Sequence, residues 1–150
     1  MSGQERGLLR KIDHIAIAVR SLPEACRIWA DLLGLDRWTV EEIPDQRVRV
    51  AMLPVGDCRI ELLEATAGDS PIAGFLSRKG EGFHHICFEV EDLAGELARL
   101  KTAGMRVVDS SPRTGAGGGR IAFLHPSSTA GVMVELSQAP VAVTPHTRSD

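Results

Sequence analysis

Apolar and polar residues alternate with a period of two from Lys11 to Val19, and Ile15, Ile17 and Val19 form the apolar set of a half-buried strand. The next residues, Ser21-Leu22-Pro23-Glu24, make a capping box with proline in the first helical turn. A helix is predicted from there, because Ala25, Ile28, Trp29 and Leu32 fall at i, i+3, i+4 and i+7 before Gly34. The runs V-R-V-A-M-L-P-V and C-R-I-E-L-L, parted by Gly56-Asp57, read as two strands. The order then returns: F-H-H-I-C-F-E-V is a strand, and Asp92 caps a helix carrying Leu93, Leu97 and Leu100 on one face as far as Gly104. R-I-A-F-L and G-V-M-V-E-L-S follow as strands. Val90 lies 71 residues after Val19, Gly104 lies 70 after Gly34 and Glu135 lies 74 after Glu61. This recurrence predicts an α+β fold of tandem βαβββ modules in one mixed sheet, with helices on its outer face.

The modules span about 11–66 and about 82–138. Between them Asp69-Ser70-Pro71 opens a bridging helix over about 70–80, with Ile72, Phe75 and Leu76 on one face and Gly80 closing it. A chain of 150 residues with 43% hydrophobic content builds one domain, 1–150, whose core needs no disulfide. The tail after Gln138 has no periodicity and is expected to be mobile or held only by a partner chain.

Charge and composition narrow the partners. The 17 basic and 20 acidic residues give a net charge of −3 with no basic stripe, which argues against nucleic acid. No apolar run reaches the ~18 residues of a membrane span, and the first residues lack the apolar segment of a secretory signal, so a cytoplasmic protein is expected. Cys26, Cys58 and Cys87 form neither an even set nor a C-x-x-C pair and read as reduced core thiols. With four Phe, two Trp and no Tyr, a stacking platform for a flat ligand is poorly supplied.

Strand alternation sorts the polar residues by face. Opposite Ile15, Ile17 and Val19 lies His14, together with Ala16 and Ala18. Opposite Ile86, Phe88 and Val90 lie His85, Cys87 and Glu89, whereas His84 falls in core register. Ile60 and Leu62 leave Glu61 on the non-core face, and Val132, Val134 and Leu136 do the same for Glu135. Each module thus contributes one histidine near the start of its first strand and one glutamate on its last. Two imidazoles and two carboxylates on a shielded face suit Zn²⁺, Co²⁺, Mn²⁺, Ni²⁺ or Fe²⁺ with water completing the shell. The competing reading is four strand side chains, Glu61 paired with an arginine such as Arg59 and each histidine simply hydrogen-bonded. His125 before Pro126 reads as a turn residue. The loop Gly115–Gly119, flanked by Arg113 and Arg120, offers N–H groups to a phosphate but lacks the G-x-x-x-x-G-K-[ST] pattern, and reads as a hairpin connection. Glu41-Glu42 and Arg47 and Arg49 read as solvated charge.

The segments I-D-H-I-A-I-A-V, I-E-L-L-E, D-S-P-I-A-G-F-L, G-E-G-F-H-H-I-C-F-E-V, P-R-T-G-A-G-G-G-R-I-A-F-L-H-P and G-V-M-V-E-L resemble those of the methylmalonyl-CoA epimerases, within the vicinal oxygen chelate superfamily and its glyoxalase/bleomycin-resistance fold. The likeness covers roughly residues 11–138. It implies paired modules curled around one divalent ion per chain (Co, Zn, Mn or Ni), a homodimer, and epimerisation of methylmalonyl-CoA at C2 through an enolate. The family's ligand positions fall on His14, Glu61, His85 and Glu135, with some members having Gln at the position of Glu61. Inversion needs a base and an acid on opposite faces of C2. Glu135 is one candidate; some members carry Glu where this chain has Val50, which leaves Glu61, a metal-bound water or a residue from a loop as the second proton carrier. The rivals are a glyoxalase-like lyase of the same superfamily and a non-catalytic acyl-CoA or small-molecule binding module. The scarcity of aromatic residues and the four ligand-type side chains argue against a metal-free small-molecule module, while Val50 is the one hint of an acyl-CoA binder without catalysis.

Overall fold

The computed structural model describes residues 8–109 and 111–140. Its strands are β1 Lys11–Ala18, β2 Thr39–Ile43, β3 Val48–Val55, β4 Cys58–Ala65, β5 Gly82–Glu89, β6 Arg113–Thr114, β7 Arg120–Leu124 and β8 Val134–Gln138. They form one eight-stranded sheet in the order β2-β3-β4-β1-β5-β8-β7-β6. The two halves mirror each other: β1 runs parallel to β4, β5 runs parallel to β8, and β1 and β5 join the modules antiparallel. The βαβββ repeat is therefore present in full. The second strand of the first module, β2, has no counterpart in the pattern reading, because T-V-E-E-I is a polar edge strand paired only with β3. The later part of the tail, 141–150, lies outside the described residues.

Helix α1, Leu22–Cys26, starts where expected, with the Ser21 hydroxyl accepting from the Glu24 N–H. It then widens into a π-helical stretch over Arg27–Leu32, with the Leu33 N–H bonded to the Ile28 carbonyl. The wider turn displaces the apolar face: Leu22, Ala25, Cys26 and Ala30 are buried, while Ile28 and Leu32 stand exposed. Helix α3, Leu93–Thr102, is capped by Asp92 and buries Leu93 and Leu97.

The core has three parts. On one face of the sheet α1 packs over Ala51, Leu53 and Leu62, and α3 packs over Ala122, Leu124 and Leu136. The third part corrects the expectation that all helices lie outside. Helix α2, Pro71–Lys79, capped by the Ser70 hydroxyl, lays Ile72 and Phe75 against Ala16, Ala18, Val48, Val50 and Leu63 on the opposite face, the one that carries His14. The small residues Ala16 and Ala18 leave room for it, which is why His14, Ala16 and Ala18 are more buried than Ile15 and Ile17. Among the described residues no helix covers module two on that side, where a cavity lies. All three cysteines are free, with Cys58 only half-buried. Among the described residues no helix is long and apolar enough to cross a membrane.

Candidate functional site

Six polar or charged side chains are buried among the described residues. Two have structural work: Ser70 caps α2, and Glu96 accepts from the Arg99 guanidinium. The other four are His14, Glu61, His85 and Glu135, and all four line a cavity of about 1040 Å³ on the side of the sheet that α2 half covers.

Three of them converge on one point. His14 Nε2 lies 3.2 Å from His85 Nε2 and 2.9 Å from Glu135 Oε1, and His85 Nε2 lies 3.2 Å from the same carboxylate oxygen. Glu135 Oε1 is fully enclosed and no hydrogen bond of acceptable geometry reaches it among the described residues. Two ring nitrogens and an orphaned carboxylate oxygen aimed at one another form a donor set that fits a divalent cation. The fourth residue stands apart. Glu61 Oε2 accepts from Arg59 Nε at 2.8 Å and sits 3.2 Å from the other nitrogen of His14, Nδ1. The pairing with Arg59 that sequence reasoning held open is thus present.

The electrostatics follow from burial and these contacts. Burial opposes charge on His14, but the hydrogen bond to Asp13, the adjacent Cys87 thiol and the close Glu135 and Glu61 carboxylates outweigh it and raise its pKa to about 12. Burial likewise opposes ionisation of Glu135, yet His14 and His85 hold its carboxyl far below the usual range. Burial pushes the Cys87 thiol up to about 12, so it stays protonated beside His14.

Two residues of this site are missed by strict alternation. The β1–β5 register pairs Ile12 with Phe88 and His14 with Cys87, skipping Asp13, and pairs Ala16 with His85 and Ile17 with Phe83, skipping His84. Each skipped residue is an extra one in a β-bulge, which turns its side chain toward the side of its neighbour. His84 is therefore not in core register. It lines the cavity with His85, and Asp13 lines it with His14. The signal was available: the 71-residue offset that relates His14 to His85 also relates Asp13 to His84.

The remaining sequence candidates have other roles. Val50 is buried in the apolar cluster under α2 and has no proton to give. His125 Nδ1 accepts from the Ser127 N–H and caps a short turn. The Gly117 N–H donates to the Glu41 carboxylate at 3.1 Å, so the glycine loop ties down to β2, and Glu41 is more than solvated charge. Arg113 pairs with Asp109 and lies over the Phe123 ring.

Comparison with known proteins agrees with this architecture. The profile of the Glyoxalase/Bleomycin resistance protein/Dioxygenase superfamily matches residues 13–123. The ethylmalonyl-CoA/methylmalonyl-CoA epimerase of Cereibacter sphaeroides is 41% identical over 87% of this chain and 99% of its own. The mitochondrial methylmalonyl-CoA epimerase of Mus musculus is 37% identical over 87% of this chain and 74% of its own. A solved Streptomyces coelicolor methylmalonyl-CoA epimerase variant, in complex with 2-nitronate-propionyl-CoA, superposes with a TM-score of 0.83 at 36% identity, covering 89% of this chain and 99% of that one. By fold, by buried site and by similarity along most of its length, the chain belongs to the methylmalonyl-CoA epimerases of this superfamily.

Proposed function

We propose that the chain interconverts the (R) and (S) epimers of methylmalonyl-CoA by removing the C2 proton and returning it on the opposite face. The observation that carries this reading is the set of four buried polar side chains with no structural role, gathered in a cavity large enough for a long thioester. Its volume is at the top of the ~300–1,000 Å³ range of small-molecule sites, and the exposed Arg37 and Arg78 among its lining suit an anionic substrate. The Streptomyces coelicolor relative's ligand is a nitronate, whose planar, anionic carbon resembles the enolate that C2 deprotonation would form.

His14, His85 and Glu135 would hold a divalent ion, Co, Zn, Mn or Ni, with Glu61 as the fourth ligand once released by Arg59. Such an ion supplies positive charge to the substrate oxygens, which acidifies C2 and stabilises the enolate. The chain's own groups do the rest. Glu135 is ionised at neutral pH and can accept the C2 proton. Glu61, the other buried carboxylate of the cavity, serves the opposite face, the role that Val50 leaves open. Val48, Val50, Leu63, Ile72 and Phe75 give that part of the cavity an apolar wall. Assay of methylmalonyl-CoA against a glutathione hemithioacetal tests the assignment: epimerisation of the first without turnover of the second is expected, and the reverse preference would place the chain among the lyases.

The ligand set carries a pH dependence. His14 holds a proton at neutral pH because its pKa is raised, and a cation at Nε2 displaces that proton. Apparent affinity for Zn²⁺ should therefore rise about tenfold per unit between about pH 6 and pH 8, well below the His14 pKa. Competition titration with a chromophoric chelator reads the slope, and a flat profile would contradict it.

A homodimer in the cytoplasm completes the reading. Exposed Ile28, Leu32, Leu33 and Phe83 give a second copy apolar surface to cover, and three free cysteines suit a reducing compartment. Light scattering at micromolar concentration should give twice the 16.2 kDa chain mass, whereas monomer alone would reject the dimer.

A further inference from the structure

The two modules differ where their glutamates sit. Arg59 and Glu61 alternate on the cavity face of β4, two residues apart, so their side chains stand side by side. Across the sheet Glu61 is flanked by Ala16 of β1 and Met52 of β3, neither of which has a side-chain N–H or O–H to offer. The donor beside it is Arg59 of its own strand. The guanidinium bridges two carboxylates, with Nε 2.8 Å from Glu61 Oε2 and a terminal nitrogen 3.0 Å from Asp13 Oδ2, so a second carboxylate anchors it. The 74-residue offset that carries Glu61 to Glu135 carries Arg59 to Met133, which also lines the cavity but has nothing to donate. Glu135 Oε1 is thus left orphaned between the two histidines, while Glu61 is held by a cation of its own module.

We infer that Arg59 is a positioning residue that competes with the ion for Glu61, leaving Glu135 the firm carboxylate ligand and Glu61 the exchangeable one. The inference deepens the metal-site reading above and rests on it. Glu61 Oε2 lies 3.2 Å from His14 Nδ1, on a different edge of the ring from Nε2, where His14, His85 and Glu135 converge. From where Arg59 holds it, Glu61 does not face the ion point, and ligation breaks the pair. Two effects then act in the same direction. A charge-assisted hydrogen bond is lost when Glu61 ligates, and the permanent guanidinium charge repels a cation beside it. The contacts of Glu61 with Arg59 and His14 both run through Oε2, so a Glu61 held by Arg59 keeps Oε1 for a proton at the substrate's second face.

A double-mutant cycle of Arg59→Met and Glu61→Gln, with Zn²⁺ affinity read by competition with a chromophoric chelator, tests this. Arg59→Met copies module two and should bind Zn²⁺ ~10-fold tighter or more than the parent, the scale of one charge-assisted hydrogen bond that no longer has to break. Glu61→Gln should cost little affinity in the parent and ~10-fold or more in the Arg59→Met background, so that the gain disappears with the carboxylate. Arg59→Lys, which keeps the charge but not the fork, should lie between parent and Arg59→Met, and it carries the same comparison if Arg59→Met does not fold. In the loaded enzyme Arg59→Met should slow C2 proton exchange chiefly from the epimer that Glu135 does not serve, because Glu61 is then tied to the ion. Equal affinities of parent and Arg59→Met, or a gain that survives Glu61→Gln, would overturn the inference and leave the metal reading intact. A parent that binds no Zn²⁺ would refute the metal reading and the competition with it. Unchanged far-UV circular dichroism of each variant separates these outcomes from misfolding.

Discussion

Glu135→Gln should slow C2 proton exchange from methylmalonyl-CoA by ~10²-fold or more, the scale of lost general-base catalysis, while part of the metal affinity survives. Glu135 sits on β8 opposite Cys87 of β5 and Phe123 of β7, and its flanking Leu136 is locked into the core under α3. Its side chain therefore has no direction but the cavity. An amide keeps the shape and one oxygen near His14 and His85, yet it can neither take nor return a proton. The loss should be unequal between epimers, because each presents its proton to a different face and only one of those faces meets Glu135. Exchange from each epimer, followed separately by mass spectrometry, checks this. If the variant retains metal and exchanges both epimers at close to the parent rate, Glu135 is a ligand only and Glu61 becomes the first residue to test.

The largest effect on stability should come from His14→Ala. His14 is the cation of a buried cluster, within 3.2 Å of carboxylates from Asp13, Glu61 and Glu135. Arg59 still serves Asp13 and Glu61 in the variant, but Glu135 is left with His85 alone. Removing one partner from a buried ion pair typically costs ~3–5 kcal/mol, and urea unfolding of the metal-free protein at neutral pH should show a loss of that order. The same variant should bind no divalent ion. His85→Ala should also lose most of the ion but destabilise less, since it leaves the His14 charge in place. Equal stability of His14→Ala and parent would mean that the carboxylates are protonated or hydrated in the folded chain, against the electrostatics described above.

Much of this site is legible in the sequence because alternation along a strand is a strong constraint. Glu61 and Glu135 each sit between apolar residues of the core face, and His14 and His85 each precede one, Ile15 and Ile86; the burial of all four agrees with that reading. What alternation cannot report is its own interruption. The bulges at Asp13 and His84 shift the register by one residue on each strand, and a period-two reading sends His84 to the wrong face. Likewise a helical period of 3.6 places Ile28 and Leu32 inside, whereas the π-helical widening after Cys26 turns them out. Strand β2 escapes notice because an edge strand tied down by Glu41 needs no apolar face. The packing of α2 against the cavity side is also hidden, since its apolar stripe fits either face of the sheet. Only the two alanines of β1, where larger residues would block it, hint at where it lies.

The central claim is that the chain moves the C2 proton of methylmalonyl-CoA with the help of an ion held by His14, His85 and Glu135. It is tested most directly by incubating the protein with methylmalonyl-CoA in deuterated water, with and without a chelator, and following deuterium at C2. The account predicts incorporation together with loss of optical purity, abolition of both by the chelator, and recovery when Co²⁺ or Zn²⁺ is returned. Absence of exchange by the ion-loaded protein, or exchange indifferent to the chelator, would contradict it.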